Sequence, residues 1–144
     1  ERGKALPVVA ADIAQLLALG ALPESAALAW ATPRWPAAIT VVLPLSRPLP
    51  ASAGEGTLAA RIPAHEGLRS LLAELGHALT ATSANASGEP PLSDPVAVRT
   101  WLATSGEKFL VVDQGETAGG LPSTLVEVRD GEVVILRKGR DEVR

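Results

Sequence analysis

The residues able to do chemistry fall in a few short stretches. Thr82-Ser83-Ala84-Asn85-Ala86-Ser87-Gly88 follows an apolar segment and gathers small hydroxyl and amide groups where backbone N–H groups are also free. Such a loop can cradle the oxygens of a phosphate or carboxylate, and the same residues equally suit an Asx or Ser turn that stitches a strand to the next element. Gly119-Gly120-Leu121-Pro122-Ser123-Thr124 is a second loop of this kind. Its glycines let the backbone approach a ligand and Ser123 or Thr124 can donate a hydrogen bond; a flexible connection into a strand beginning at Thr124 is the competing reading. The stretch lacks the G-x-x-x-x-G-K-[ST] pattern, which excludes a P-loop.

Thr57 and Arg61 lie four residues apart, so in a strand their side chains share one face. Arg61 can then fork onto a carboxylate or phosphate, or simply face solvent. Arg137, in Ile135-Leu136-Arg137-Lys138-Gly139, reads locally as an edge-strand charge that discourages aggregation. His65 has no second histidine at ligand spacing and no serine framed as a nucleophile elbow, so neither a hydrolase nor a zinc site follows, and a structural or surface role is expected. Trp30, Trp35 and Trp101 lack the basic surroundings of a base-stacking platform and are expected to pack in the core or against helices.

Positioning these groups falls to strands and helices in alternation. Leu6 to Ala10 has strand length, and Asp12 can cap a helix running to Leu19 and stopping at Gly20. A second helix is expected from about Glu24 to Ala31, a strand over Ile39 to Leu43, then a loop from Pro44 to Gly56. Thr57 to Ile62 reads as a strand, Leu68, Leu71, Leu72 and Leu75 as a helix closed by Gly76, and Leu79 to Thr82 as a short buried strand. After the Ser83 to Ser93 loop, Asp94-Pro95 opens a helix bearing Val98, Trp101 and Leu102. Phe109 to Asp113 is expected to be a strand, Gly115 to Pro122 a loop, and Thr124 to Val128 with Val133 to Leu136 a hairpin turning at Asp130-Gly131. The expected fold class is therefore α/β with a mixed sheet and flanking helices, in a single domain over residues 1–144.

Composition agrees with a packed domain and removes several functions. The 144 residues are 47% hydrophobic and 20% charged, with a mean hydropathy of +0.21, which excludes global disorder. A formal charge of -3 is not the footprint of a nucleic-acid binder, so any polyanion site must be a local basic pocket. Without cysteine, and with only His65 and His77, there is no disulfide, thiolate site, cysteine nucleophile or histidine-rich metal site. The stretch Leu16 to Ala31 is interrupted by Gly20, Pro23, Glu24 and Ser25, no secretory signal pattern is present, and a cytoplasmic location without membrane association is expected.

In order, Lys4-Ala5-Leu6, Trp35-Pro36-Ala37-Ala38-Ile39-Thr40, Arg61-Ile62-Pro63, Ser83-Ala84-Asn85-Ala86-Ser87-Gly88, Pro122-Ser123-Thr124 and Ile135-Leu136-Arg137-Lys138-Gly139 resemble the YrdC-like family of threonylcarbamoyl-adenylate synthases. The resemblance covers nearly the whole chain. The family's upstream P-T-D-T-x-Y-G-L and K-x-R motifs do not occur in these residues, Ala5 stands for a proline, and Ala37-Ala38 for Gly-Pro. It implies a twisted mixed sheet with a concave, locally basic pocket for ATP, L-threonine and bicarbonate. By position, Lys4, Thr57, Ser83, Asn85 and Arg137 resemble ATP-contacting residues, and Arg61, Ala81 and Ser123 resemble residues lining a threonine site. The implied reaction forms threonylcarbamoyl-AMP and pyrophosphate without a covalent enzyme nucleophile, with Mg²⁺ accompanying ATP. It also implies downstream proteins that transfer the threonylcarbamoyl group to tRNA, and leaves direct contact with tRNA open. A non-catalytic YrdC-like module that binds nucleotide or RNA is the alternative.

Overall fold

A computed structural model describes residues 5–143 of the chain. These fall into two compact units, one built from residues up to 81 together with 121 onward, the other spanning residues 82–120. Among the described residues the first unit carries a six-stranded sheet, three α-helices and two short 3-10 turns. Its strands are β1 (Val8–Val9), β2 (Ile39–Pro44), β3 (Thr57–Arg61), β4 (Leu79–Thr80), β5 (Thr124–Arg129) and β6 (Glu132–Arg137), in the spatial order β4-β1-β3-β2-β5-β6. The β1–β3 and β2–β5 pairs are parallel and the other neighbours antiparallel, so the expected mixed α/β sheet is what the chain forms.

The helices start where local chemistry allows. Asp12 accepts from Gln15 N at the start of α1 (Ile13–Ala18), and Ser25 accepts from Leu28 N at the start of α2 (Ala26–Ala31). His65 fills the same role for α3 (Glu66–Leu75), its Nδ1 accepting from Leu68 N at 3.1 Å, which gives this histidine a structural function. That helix ends at Gly76, whose φ of 73° is the left-handed conformation of a helix stop. Gln15 ties α1 to α3: its amide donates to Leu72 O at 2.8 Å while its carbonyl accepts from Ala11 N.

The core lies on one face of the sheet. Val8, Val41, Leu43, Leu58, Ala60 and Val126 meet Leu16, Leu28, Ala31 and Trp35 there, and Trp35 Nε1 donates to Ile39 O at 2.8 Å. Alternation along β3 therefore leaves Ala59 and Arg61 on the opposite face. Trp30 packs against the core edge with the Arg34 guanidinium 4.2 Å from its ring centroid. The β5–β6 hairpin turns on Asp130 and Gly131, both with positive φ (51° and 81°), as a two-residue turn between twisted strands requires.

Two expected elements differ. Leu79–Thr80 forms an edge strand pairing with β1 alone, and Leu79 is 36% exposed rather than buried. Phe109 to Asp113 forms no strand, with Leu110 91% exposed. The second unit holds one regular element among the described residues, α4 (Pro95–Ala103), capped by Asp94 as expected, and offers no sheet for the 109–113 segment to join. No helix among the described residues is long and apolar enough to cross a membrane.

Candidate functional site

On the face of the sheet away from the core, the first unit holds a cavity of about 360 Å³. Arg61, Thr40, Ser123, Arg137 and Ala81 are its polar or closely approaching wall, with Pro7 to Val9 among its apolar lining. Register explains why these residues meet. Thr40 pairs with Leu125 across β2–β5, and Leu125 pairs with Arg137 across β5–β6, which sets the three in one row on one face. Ser123, two residues before Leu125, has the same parity.

Arg137 reaches that face through a bulge. Val126 pairs with Ile135, so regular pairing would place Leu136 opposite Leu125; instead the register shifts and Arg137 takes that place. One extra residue in a strand reverses which side chain points to which face. Arg137 Nη2 consequently donates to Ser123 O at 2.9 Å and lies 3.4 Å from Ser123 Oγ, so this arginine shapes the cavity and is more than an edge charge. Ser123 Oγ is also 2.7 Å from Thr40 Oγ1.

The cavity is electropositive. Burial lowers the Arg61 guanidinium pKa from its ordinary value, and repulsion from Arg140 and Arg137 lowers it further. An arginine so placed remains cationic and is stabilised by whatever anion enters. Among the described residues no aspartate or glutamate lines the cavity, so an acidic chain brings Arg61 and Arg137 together at one place, a charge that suits a small anion.

The strand ends that carry Ser123 and Arg137 are held by the segment after β6. Thr124 is buried; its hydroxyl donates to Asp141 O and accepts from Gly139 N at 3.0 Å. Arg140 N donates to Pro122 O at 2.8 Å, and the Asp141 carboxylate accepts from Ala38 N at 2.8 Å. Gly139 is required by this close approach: a Cβ there would lie 2.3 Å from Pro122 O and 2.4 Å from Thr124 N.

In the second unit, the Ser83 hydroxyl donates to Asn85 Oδ1, and Asn85 Nδ2 donates to the carbonyls of Ala86 and Glu89, each at 2.9 Å. Asn85 thus sets the shape of its own loop. The Arg99–Asp113 ion pair, at 3.0 Å, and the Thr117 N to Ser93 O bond hold the rest of this unit.

Of the residues singled out from sequence, Arg61, Ala81, Ser123 and Arg137 line the one cavity. Thr57 shares the β3 face of Arg61 but is not part of the cavity wall. Ser83 and Asn85 belong to the second unit, and Lys4 lies outside the described residues. Sequence reasoning did not single out Thr40, whose β-branched neighbours read only as a strand, nor Arg140, Asp141 or the packing role of Gly139. Among the described residues no group of three or more His, Cys, Asp or Glu side chains is placed to hold a metal ion.

A mixed α/β sheet carries on its outer face a small arginine- and hydroxyl-walled cavity, whose charge and donors are complementary to a small anion. Comparison narrows the class. The family described as Sua5_yciO_yrdC, telomere recombination, matches residues 1–139, and the chain belongs to it. It is 31% identical over 137 residues to a threonylcarbamoyl-AMP synthase of Idiomarina loihiensis, covering 90% of this chain and 71% of that protein. It is 35% identical over 108 residues to the protein of that name from Pyrococcus abyssi, covering 73% of this chain and 31% of the relative. Its structure is similar to P. abyssi Sua5 complexed with L-threonine, with a TM-score of 0.79 at 30% identity over 96% of this chain and 41% of the other. The fold is shared with E. coli YciO, with a TM-score of 0.79 at 21% identity over all of this chain and 70% of the other.

Proposed function

We propose that the protein is an L-threonylcarbamoyladenylate synthase, a cytoplasmic nucleotidyltransferase that forms threonylcarbamoyl-AMP and pyrophosphate from L-threonine, bicarbonate and ATP. The observation that carries the reading is the cavity in which Arg61, Ser123 and Arg137 converge, positions that resemble threonine- and ATP-contacting residues of the family. The names of the relatives and the threonine complex of the P. abyssi neighbour support it. The product would pass to proteins that transfer the threonylcarbamoyl group to tRNA.

In this reading the threonine amine forms a bond to the carbon of bicarbonate with loss of water, or to that of carbon dioxide with loss of an amine proton, giving N-carboxy-L-threonine. A carbamate oxygen forms a bond to the α-phosphorus of ATP, the bond to the β-phosphate oxygen breaks, and pyrophosphate leaves. The chain contributes position and charge. Arg61 is assigned to the amino acid's carboxylate because a planar fork matches two oxygens, and Ala81 and Ser123 to the remaining wall of that subsite. Lys4, Thr57, Ser83, Asn85 and Arg137 are assigned to ATP. Mg²⁺ would accompany ATP and would supply neutralisation of phosphate charge.

The alternative, a module that binds nucleotide or RNA without turnover, is separated by one assay. Pyrophosphate release from ATP is measured with threonine and bicarbonate supplied together and each omitted. Release that requires both supports the synthase; nucleotide binding with no release under any condition supports the module instead.

A further inference from the structure

We propose that Thr40 is a positioning residue: its buried hydroxyl donates to Ser123 Oγ and so turns the Ser123 proton into the cavity, toward an anionic oxygen of the bound amino acid. The inference rests on the reading that this cavity takes L-threonine, and it adds a residue to that subsite.

The argument is a proton count. The two hydroxyl oxygens are 2.7 Å apart and either one can be the donor. Thr40 sits in β2, one of the two central strands of the sheet, 5% exposed, and Ser123 Oγ is the partner of its hydroxyl among the described residues. Were Ser123 the donor, the Thr40 proton, on a residue 5% exposed, would have no acceptor among the described residues, the costlier outcome for a hydroxyl that has left water. Thr40 therefore donates. On the other side of Ser123 stands Arg137, donating to its carbonyl at 2.9 Å with the hydroxyl 3.4 Å away. A guanidinium has no acceptor, so the Ser123 proton cannot go there. With a donor on each flank, that proton has the cavity left to it.

Orientation matters because an isolated serine hydroxyl rotates between wells and presents a proton or a lone pair equally well. Held by Thr40, Ser123 meets an anion as a donor from the outset, with no reorganisation on binding. The row Thr40–Leu125–Arg137, created by the bulge before Arg137, places both flanking donors on the same side of the sheet.

The test is calorimetric titration of the full chain with L-threonine, using wild type, Thr40→Val, Thr40→Ser, Ser123→Ala and the Thr40→Val/Ser123→Ala pair. Thr40→Val keeps the shape and loses the hydroxyl, and it should weaken threonine binding on the order of tenfold. Thr40→Ser restores the donor and should bind within about twofold of wild type. In the Ser123→Ala background, Thr40→Val should add little, because the proton it oriented is gone. A penalty that persists in that background would show that Thr40 acts through packing and would overturn the proposal, as would unchanged binding by Thr40→Val. Should the valine variant lack a cooperative melting transition, Thr40→Ala enters the same cycle with the same expectations. Wild type that does not bind L-threonine would overturn the synthase reading and this proposal together, whereas wild type that binds and a Thr40→Val that matches it would remove only the role of Thr40.

Discussion

Replacing Gly139 with alanine tests whether the segment after β6 holds the cavity together. The added Cβ would sit 2.3 Å from Pro122 O and 2.4 Å from Ser123 C and Thr124 N, all backbone atoms that no rotamer change can move aside. Carbon contacts are comfortable near about 3.5 Å, so the two backbones must separate by roughly 1 Å. Overpacking of this kind costs about 1–3 kcal/mol. The displacement also breaks the Gly139 N to Thr124 Oγ1 bond and the Arg140 N to Pro122 O bond. At about 1 kcal/mol for each bond, the sum is roughly 3–5 kcal/mol, a large part of a domain's usual stability of about 5–15 kcal/mol. Urea unfolding of wild type and Gly139→Ala reads this as a shift in midpoint at constant slope. Threonine titration of the variant at low denaturant should show weaker binding, because Ser123 and Arg137 move with the strand ends. A destabilisation below about 1 kcal/mol would refute the reasoning, since it would mean that the backbones separate at almost no cost.

Arg61→Lys keeps the charge and loses the fork, and it should raise the apparent threonine KM roughly tenfold while the ATP dependence changes little, on the basis of about 1.5–3 kcal/mol for a charge-assisted pair. Weakened ATP binding with unaltered threonine dependence would instead assign Arg61 to the triphosphate. Ser83→Ala and Asn85→Ala should each weaken binding of a non-hydrolysable ATP analogue by roughly 0.5–3 kcal/mol, read by calorimetry, with the far-ultraviolet spectrum unchanged. Asn85→Ala should have the larger effect, because it releases two loop carbonyls as well as the partner of Ser83; unchanged affinity in both variants would confine the loop to a structural role.

Features that act over a few residues are legible in the sequence. Asp12 and Asp94 mark helix starts because a carboxylate reaches amides two or three positions on, and Gly76 marks a stop because a left-handed residue is cheapest without a Cβ. Asp130-Gly131 between two apolar runs specifies the hairpin for the same local reason, and the period of two already places Arg61 and Thr57 on one face. The order of motifs extends this to the family. What the tertiary structure decides is which distant groups meet. Phe109 to Asp113 has the composition of a strand, yet strand propensity expresses fit to a half-buried pleated surface, and the second unit provides none. Leu79 is apolar but ends at the sheet edge, where pairing on one side leaves it exposed. Arg137 faces the cavity only because a bulge reverses its parity, which no alternation pattern in β6 reveals. Thr40 meets Ser123 across 83 residues of chain, and Gly139 is constrained by the backbone of Pro122 to Thr124. The physical reason is common to all of these: a cap or a turn is a bond between near neighbours that the residue types specify by themselves, whereas register, burial and close approach depend on which strand comes to lie beside which.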